Sequence, residues 1–394
     1  MPQRPGTPRL LRQLNDRAAL ELLLAAGPLT RSELGERTGL SKVTAGQLLS
    51  RLEAHGLVAV VGEQVGGRGP NAALYGLVPS SAYVAGLEVL PDSVTAGVAD
   101  ITGEVIAEIT VDPNGHGDPV KVVHSAVRQV CETARVEMTR LRACVIGTRG
   151  VVDPRTGDVR FSFDLPAWHE GVLAALSETL QRPVTIENDV NLALMAERAY
   201  GAARGVPDFV LMWAGIGQGL GVMLGDRLHR GSTGGAGEIG WLPVPGEPLP
   251  VNVTEPQSGS FQRLVGAQAL ADLAAAHDLP TAPITTHIAT AVSILPPPAP
   301  YGAFLDELAG RLAIGVAAVA VVLDPGLIVL SGAVGKAGGA ELAARVEEAV
   351  ARICPSRPRV AVTEVEGNPV LRGALLAALE RAREEVFSGT LEGW

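Results

Sequence analysis

From Ala82 onward, apolar runs of strand length alternate with helical stretches, and this alternation occurs in two successive series. The first series predicts three consecutive strands, "YVAGLEVL", "SVTAGVAD" and "GEVIAEIT", then a helix over about residues 119–140 and the strand "RACVIGT". The second contains "FVLMWAG", "GLGVMLGD", "RLHRGS", long helices and the strand "LIVLSG". The letters do not repeat, but the order of elements does. Two related α/β halves with a cleft between them fit this layout.

The charge of the chain is unevenly distributed. Of the 394 residues, the first 78 carry nine Lys and Arg against six Asp and Glu, a net charge of +3. The remainder carries −13, because the whole chain has a formal net charge of −10. A length of this order is sufficient for two or three domains. The basic head on an acidic body indicates that only the head meets a polyanion such as DNA.

The cysteines and the apolar segments indicate a cytoplasmic protein that does not enter a membrane. Three cysteines are scattered, and no pair has a metal-binding spacing. An odd number of cysteines is typical of a reducing compartment. The N-terminal residues contain no apolar signal core. The longest apolar run, Leu312 to Leu323, is too short to span a bilayer, and we interpret it as part of a buried helix.

The head, residues 1–78, has the pattern of a helix-turn-helix. A first helical pattern starts near Asn15 and stops at Gly27-Pro28. In "LTRSELGERTGLSKVTAGQLLSRLEAHGLV", Thr30 and Glu33 form a predicted capping box that begins the next helix. Gly39 ends that helix, and Ser41 caps a third helix that runs to about Gly56.

The third helix predicts one buried face and one DNA-binding face. Its apolar stripe has the i, i+3, i+4, i+7 spacing and consists of Ala45, Leu48, Leu49 and Leu52. Two short strands, "LVAVVGEQ" and "AALYGLV", follow around a glycine-rich wing. The polar residues placed to contact phosphates and base edges are Ser41, Lys42, Thr44, Gln47, Arg51 and, at the tip of the wing, Arg68. The alternative is a helical hairpin that is polar outside and never contacts DNA.

In the body, Glu187, Asn188 and Asp189 lie where a strand is predicted to end, at Ile186, and a helix to begin, just after Asp189. The helix dipole stabilises an ionised carboxylate at this position, and an amide can both donate to and accept from a sugar hydroxyl. Asn and Asp are also favoured helix caps, so this pattern alone permits either a ligand site or a simple cap.

Several segments of the body resemble one protein family. They are "GVVDPRTGDV", "LPAW", "IENDVNLALMAERAYGAARG", "HRGSTGGAGEIG" and "LDPGLIVLSGAV", in this order and with this spacing. The chain is similar to the ROK family of repressors, open reading frames and kinases. The resemblance implies a two-lobed actin-like, ribonuclease-H-like fold over residues 79–394, with a sugar-binding cleft near residues 187–240. It also implies that Asn188, Asp189 and Glu238 contact the sugar, and that Asp189 corresponds to the general base of the kinases.

Other segments depart from the family pattern. The first phosphate loop of the kinases, Asp-x-Gly-Gly-Thr, is replaced by "GLEVLPDS", and the second loop reads "AGIGQG" without its threonine. Trp241 stands where the family has a zinc-binding His, and the following loop contains no Cys. We therefore expect neither ATP nor zinc, and no other cofactor. Asp164 stands where an Asn often precedes Leu-Pro-x-Trp, and it is a candidate sugar-binding residue. It could pair with Arg149, or Arg149 could meet an anionic ligand, so a sugar phosphate remains an alternative to a plain sugar.

A winged-helix head on such a body is the layout of the family's transcriptional repressors. We expect a non-enzymatic regulator of carbohydrate metabolism, acting as a repressor, that binds operator DNA as a homodimer or homotetramer and responds to a sugar or sugar phosphate. One alternative is an ATP-dependent sugar kinase with an accessory DNA-binding head. Another is a DNA-binding protein whose body serves only for oligomerisation.

Overall fold

The structure is a computed structural model that describes residues 8–65, 71–113, 118–162, 165, 168, 171–215, 217–253, 255, 258–294 and 296–388. In these ranges, no helix has both the length and the apolar composition needed to cross a membrane.

The head is a winged helix-turn-helix, as predicted. Its elements are α1 (Pro8–Ala26), β1 (Leu29–Thr30), α2 (Arg31–Thr38), α3 (Lys42–Ala54), β2 (Val58–Gln64) and β3 (Ala72–Leu77), and the three strands form a sheet in the order β1-β3-β2. The first helix begins at Pro8 rather than near Asn15. Its initial turns expose Leu10, Leu11 and Leu14 by 46–55%, so they lack the buried stripe from which the helix start was predicted.

Local sequence signals set the boundaries of the helix-turn-helix. Thr30 and Glu33 form the predicted capping box, and Gly39 adopts the left-handed conformation (φ 71°) that ends α2. The Ser41 hydroxyl accepts from the Thr44 N–H at 3.2 Å and caps α3. The stripe of α3, from Ala45 to Leu52, is at most 1% exposed, so it packs in the core of the head as predicted.

The first lobe of the body is built on a five-stranded sheet. Its elements are β4 (Tyr83–Val89), β5 (Val94–Asp100), β6 (Val105–Val111), α4 (Pro119–Ala134), β7 (Leu141–Thr148), β8 (Val151–Val152), β9 (Val159–Phe161), α5 (Val172–Leu180) and β10 (Val184–Asn188). The sheet order is β10-β7-β4-β5-β6. The predicted helix over residues 119–140 is too long, because α4 stops where Arg135 turns left-handed (φ 56°). Strand β10 continues two residues beyond Ile186 and pairs with β7 up to Asn188.

The second lobe repeats this arrangement. Its elements are α6 (Asp189–Tyr200), β11 (Phe209–Ala214), β12 (Gln218–Leu224), β13 (Arg227–Leu228), α7 (Ser260–Val265), α8 (Ala267–Ala276), α9 (Ile284–Ser293), α10 (Tyr301–Leu323), β14 (Leu327–Ser331), α11 (Gly332–Ile353), β15 (Arg359–Val362) and α12 (Pro369–Ser388). The sheet order is β13-β12-β11-β14-β15. The segment "RLHRGS" contributes only two residues to its strand.

The two sheets have the same topology. In each, the first strand (β4 or β11) pairs antiparallel with the next strand of the hairpin and parallel with the strand that follows a helix. The outermost strand on that side, β10 or β15, is again parallel. This duplicated order is that of the ribonuclease-H-like, actin-like fold, so the predicted fold class is confirmed.

Two helices, α6 and α12, pack on each other between the sheets. Helix α12 lies against β4 and β7 of the first sheet, and α6 lies against β12 and β11 of the second. Their contact is close because Gly373 has no side chain, and a Cβ there would collide with the Leu192 carbonyl oxygen. Helix α6 thus connects the lobes, and it begins at Asp189.

The head and the body share a continuous core. Helix α1 packs against α12, and buried residues of both, including Leu20, Leu23 and Leu379, belong to one apolar cluster. At the junction, the Arg140 guanidinium donates to the Ser80 carbonyl oxygen. The domain boundary between residues 78 and 79 stays a prediction. The head and the body pack against each other at this boundary.

Candidate functional site

The junction between β10 and α6 places three polar side chains at one end of the cleft. Asn188 is the N-cap of α6, and its Oδ1 accepts from the N–H groups of Val190 (3.0 Å) and Asn191 (3.2 Å). Its Nδ2 donates to the Gly150 carbonyl at 3.1 Å. Asn188 is therefore a helix cap that also lines the cleft, so the two interpretations of this residue are compatible.

Asp189 is the first residue of α6 and is 9% exposed. Burial raises the pKa of its carboxyl to about 7, and the nearby acids Glu88 and Glu238 act in the same direction. The Val190 N–H and the Arg149 guanidinium oppose this rise in pKa but do not cancel it. Desolvation therefore opposes the helix dipole, and the carboxyl is only partly ionised at neutral pH. A carboxyl with a pKa near 7 can hold or release a proton under physiological conditions.

Glu187, the residue before Asn188, connects the two sides of the cleft. Its Oε2 accepts from Arg230 Nε at 2.7 Å, and Arg230 lies in the segment that follows β13 of the second lobe. Its Oε1 accepts from the Asn188 N–H and from Asn191 Nδ2, both at 2.9 Å. Glu187 is thus occupied by structural bonds and does not line the cavity.

Glu238 reaches the cleft from the loop between β13 and α7. The preceding Gly237 has φ 97°, and a Cβ there would collide with the Leu220 carbonyl, so only glycine fits this turn. The loop is attached to the sheet because Leu220 N–H donates to the Gly237 carbonyl at 2.8 Å. Burial raises the pKa of the Glu238 carboxyl.

A cavity of about 200 Å³ brings Asn188, Asp189 and Glu238 together. Its remaining walls come from both lobes and comprise Arg149, Gly150, Phe161, Ser162, Val190, Trp213, Gly217, Gln218, Gly219, Gly240, Trp241, Gly259 and Gln262. Asp164 lies outside the described residues, and so does any contact that it makes with Arg149. Three of the four sugar-binding residues predicted from the sequence therefore line this one cavity.

The aromatic and amide walls of the cavity were missed by sequence reasoning. Trp213, on β11, and Phe161, on β9, gave no signal because they read as strand residues with apolar side chains. Trp241 was noticed only as the replacement of a His. Gln218 and Gln262 are buried, and Gln262 Oε1 accepts from the Gln218 N–H at 3.1 Å. Gln218 lies in "AGIGQG", the segment that departs from the second phosphate loop of the family, and this departure was the sequence signal that could have identified it.

The family's zinc site does not fit the residues that occupy its position. The indole of Trp241 offers an N–H donor and no metal-binding lone pair. Within the ranges that the structure describes, no group of three or more His, Cys, Asp or Glu is placed to hold a metal ion.

The predicted DNA-binding residues lie mostly on one exposed surface of the head. Ser41, Lys42, Thr44 and Gln47 are exposed at the N-terminal half of α3. A shallow hollow beside them is also lined by Arg31 of α2, which sequence reasoning missed. Arg68 lies outside the described residues.

Arg51 differs from the other predicted DNA contacts. It does line the hollow, but its guanidinium donates to the buried Asp16 carboxylate of α1 at 2.6 Å. Arg51 is therefore partly engaged with α1, which crosses α3 at this point, and its contact with DNA stays a prediction.

Comparison with known proteins agrees with both parts of the chain. Residues 84–380 match the ROK family, and residues 13–69 match the MarR family. The DNA-binding transcriptional dual regulator NagC of Escherichia coli strain K12 is 24% identical over 246 residues, which cover 62% of this chain and 60% of NagC. The chain thus spans about three fifths of the length of the curated relatives that it matches.

Two solved structures share the fold. A ROK family transcriptional regulator, a homolog of the E. coli MLC protein, superposes with a TM-score of 0.74 at 17% identity, over 96% of this chain and 99% of the other. The ROK hexokinase of Thermus thermophilus has a TM-score of 0.62 at 27% identity, over 77% of this chain and 99% of the other.

The class of protein follows from its two parts. The body has duplicated sheets with a cleft between them, as in sugar kinases, and the head is a winged helix-turn-helix. Since the family match spans three quarters of its length, the chain belongs to the ROK family.

Proposed function

We propose that the protein is a DNA-binding transcription regulator of carbohydrate metabolism that acts as a repressor and responds to a sugar bound in the cleft. The observation that carries this proposal is the exposed polar face of α3 on a head whose core continues into the body. An exposed lysine, hydroxyl and amide at the start of such a helix suit phosphate and base-edge contacts in a major groove. The names of related proteins, a transcriptional dual regulator and xylose repressors, support the same function.

A continuous set of packed elements supports sugar control of DNA binding. Asp189, at the cleft, begins α6; α6 packs on α12; and α12 packs on α1 of the head. A sugar that binds one arrangement of the lobes more tightly than another shifts the population towards it and with it the position of the head. A homodimer presents two heads to a two-fold symmetric operator, and a homotetramer is the alternative assembly.

The altered phosphate loops support a function without phosphoryl transfer. Strands β4 and β5 are joined by a tight turn in which the Leu90 N–H donates to the Ser93 carbonyl at 2.9 Å. That backbone donor is therefore used within the turn and does not face a phosphate.

The second candidate function, an ATP-dependent sugar kinase, is favoured by Asp189, whose pKa of about 7 suits a general base. Release of ADP from Mg-ATP in the presence of a hexose, lost in Asp189→Asn, would establish the kinase.

Selection of binding sequences from a random DNA duplex library tests the proposal. We expect enrichment of an inverted repeat whose half-sites are about one helical turn apart. Lys42→Ala should weaken binding to the selected duplex. Because one phosphate contact is lost, the slope of log K against log salt concentration should fall in magnitude by about one. Lys336→Ala removes the same charge from an exposed position of α11 and serves as the control. If no sequence is enriched, or if both variants bind equally, the DNA-binding function is wrong.

A further inference from the structure

Three polar side chains of the cleft leave different hydrogen-bonding groups for a ligand. Asn188 uses its Oδ1 for two helix N–H groups and one amide hydrogen for Gly150, which leaves one N–H. Glu238, in contrast, has no hydrogen bond to its carboxyl from the residues that the structure describes. Among the residues that the structure describes, Asp189 accepts only through Oδ1, from the Val190 N–H at 2.9 Å. Glu238 and Asp189 Oδ2 are therefore placed to accept hydrogen bonds from a ligand that supplies donors.

Gln218 adds a third acceptor whose orientation is fixed. Its Nε2 donates to the carbonyl oxygens of Gly215 and Val265, each at 3.1 Å. Because carbonyl oxygens accept only from the NH₂ end of an amide, the position of Oε1 is determined. This Oε1 is buried and has no hydrogen-bond partner within the described part of the chain. An unsatisfied buried acceptor beside a cavity is stabilised by a ligand that donates to it.

The charges around the cavity favour a cation over an anion. Asp189 and Glu238 line it, and Glu88, at the end of β4, lies near enough to influence Asp189. Arg149 is the single Lys or Arg in the described lining, and it faces Asp189 and Glu88. Burial raises the pKa values of the Asp189 and Glu238 carboxyls, and a cation placed beside them favours their ionised form, whereas a phosphate group would oppose it.

The aromatic walls are also suited to a cation. Trp213, Trp241 and Phe161 line the same cavity, although aromatic residues make up only 4% of the chain. An aromatic face attracts an ammonium group and packs against the C–H face of a sugar ring. A volume of about 200 Å³ is below the usual range for drug-sized ligands, roughly 300–1,000 Å³, so it fits a single ring.

From these observations, and resting on the function proposed above, we propose that the cleft selects an unphosphorylated amino sugar in its ammonium form, with Glu238 and Asp189 as counter-ions and Gln218 Oε1 as an additional acceptor. Gln218 is then a specificity-determining residue. A hydroxyl can replace the ammonium as a donor, but a charge-assisted hydrogen bond is roughly twice as strong as a neutral one.

Titration calorimetry of the full chain at pH 7 tests the proposal. The probes are D-glucosamine, D-galactosamine and D-mannosamine, each with its matched hexose, its N-acetyl derivative and its 6-phosphate. We expect one amino sugar to bind at least about tenfold more tightly than its matched hexose and derivatives. Preference for a hexose, an N-acetyl sugar or a sugar phosphate, or no binding of any probe, overturns the proposal.

Variants assign the selectivity to named residues. Glu238→Gln keeps the shape of the side chain and should reduce the tenfold preference to about twofold or less, with hexose affinity changed far less. Gln218→Met keeps the length of the side chain and removes Oε1 without placing a negative charge against the Gly215 and Val265 carbonyls, and it should reduce the preference for the amino sugar over the hexose. A circular dichroism spectrum and a melting curve establish that each variant is folded. An unchanged preference in both folded variants contradicts the assignment.

The ligand preference and the regulatory function can fail separately. Amino-sugar binding that leaves the affinity for the selected DNA duplex unchanged supports this inference and contradicts the proposed sugar response. A sugar phosphate that binds the protein and causes it to release DNA contradicts this inference and supports the proposed sugar response.

Discussion

Arg51 Nη2, on the third helix of the head, lies 2.6 Å from Asp16 Oδ1 on the first helix. The Asp16 side chain is 2% exposed, whereas that of Arg51 is 35% exposed. The ion pair therefore joins the helix that carries the predicted DNA contacts to α1, which in turn packs on α12 of the body.

Removal of this pair should destabilise the head and weaken DNA binding together. Asp16→Ala leaves Arg51 without its partner, and Arg51 Nε is already buried without one in the described structure. We expect a loss of about 1–3 kcal/mol in the free energy of unfolding, reduced from the value for fully buried pairs because Arg51 is partly solvated. Urea denaturation and DNA titration measure the two effects.

The neighbouring pair Arg17–Glu21 provides the control for this experiment. Both of its side chains are about half exposed, at 45% and 53%, and their closest distance is 2.7 Å. Exposed pairs of this kind contribute little, so Arg17→Ala should cost less than about 0.5 kcal/mol. Equal effects of Asp16→Ala and Arg17→Ala would show that burial does not distinguish the two pairs.

The contact between Glu187 and Arg230 leads to a second prediction. Arg230→Gln removes one donor at a site where the arginine side chain is 43% exposed, so we expect a loss of at most about 1 kcal/mol. Glu187→Ala should cost more, about 1–3 kcal/mol, because it also removes the acceptor of the buried Asn191 amide. Chemical denaturation of both variants measures this order. A larger loss in Arg230→Gln would contradict it.

The raised pKa of Asp189 predicts how stability varies with pH. Its carboxyl binds a proton up to about pH 7 in the folded chain, but only up to about pH 3.8 when unfolded. This group therefore stabilises the folded state fully below pH 3.8, and the contribution is lost as the pH rises to about 7. Asp189→Asn cannot ionise, so its melting temperature should rise relative to wild type between pH 5 and pH 8.

Melting curves of wild type and Asp189→Asn across this pH range test the prediction. Glu88 and Glu238 also have pKa values raised by burial and produce a trend of the same sign in both proteins. The difference between the two proteins therefore reports Asp189 together with its coupling to Glu88 and Glu238. A difference that stays constant from pH 5 to pH 8 would mean that folding does not raise the pKa of Asp189.

Much of the fold followed from local sequence signals. The capping box at Thr30, the stripe of α3 and the strands that flank tight turns depend on neighbouring residues, and each is present in the structure. The ion pair of Arg51 depends instead on α1, which is 35 residues away in the chain, and no local signal predicts it. A helical wheel shows which side faces outward but not which other helix crosses it.

The candidate site was predictable in its motifs and not in its environment. The position of Asp189 followed from the motif, whereas its protonation depends on burial between two lobes that the local sequence does not describe. The tryptophans of the cavity come from strand β11 and from the loop after Glu238, and only the folded chain brings them together. Non-local packing thus determines the electrostatics and the walls of the site.

The last prediction concerns the glycine that positions Glu238. Gly237 and Gly225 both have positive φ, at 97° and 55°, but they differ in their surroundings. A Cβ on Gly237 would collide with the Leu220 carbonyl, whereas one on Gly225 would meet no atom within 4 Å. Gly225→Ala should therefore cost only the backbone strain, about 1 kcal/mol. Gly237→Ala must also move the loop away from β12, and we expect it to lose ligand binding, because Glu238 moves with the loop. Calorimetric titration with the tightest-binding sugar, beside a melting curve for each variant, separates the two effects. If Gly237→Ala binds that sugar as Gly225→Ala does, Glu238 does not need this turn to contact the ligand.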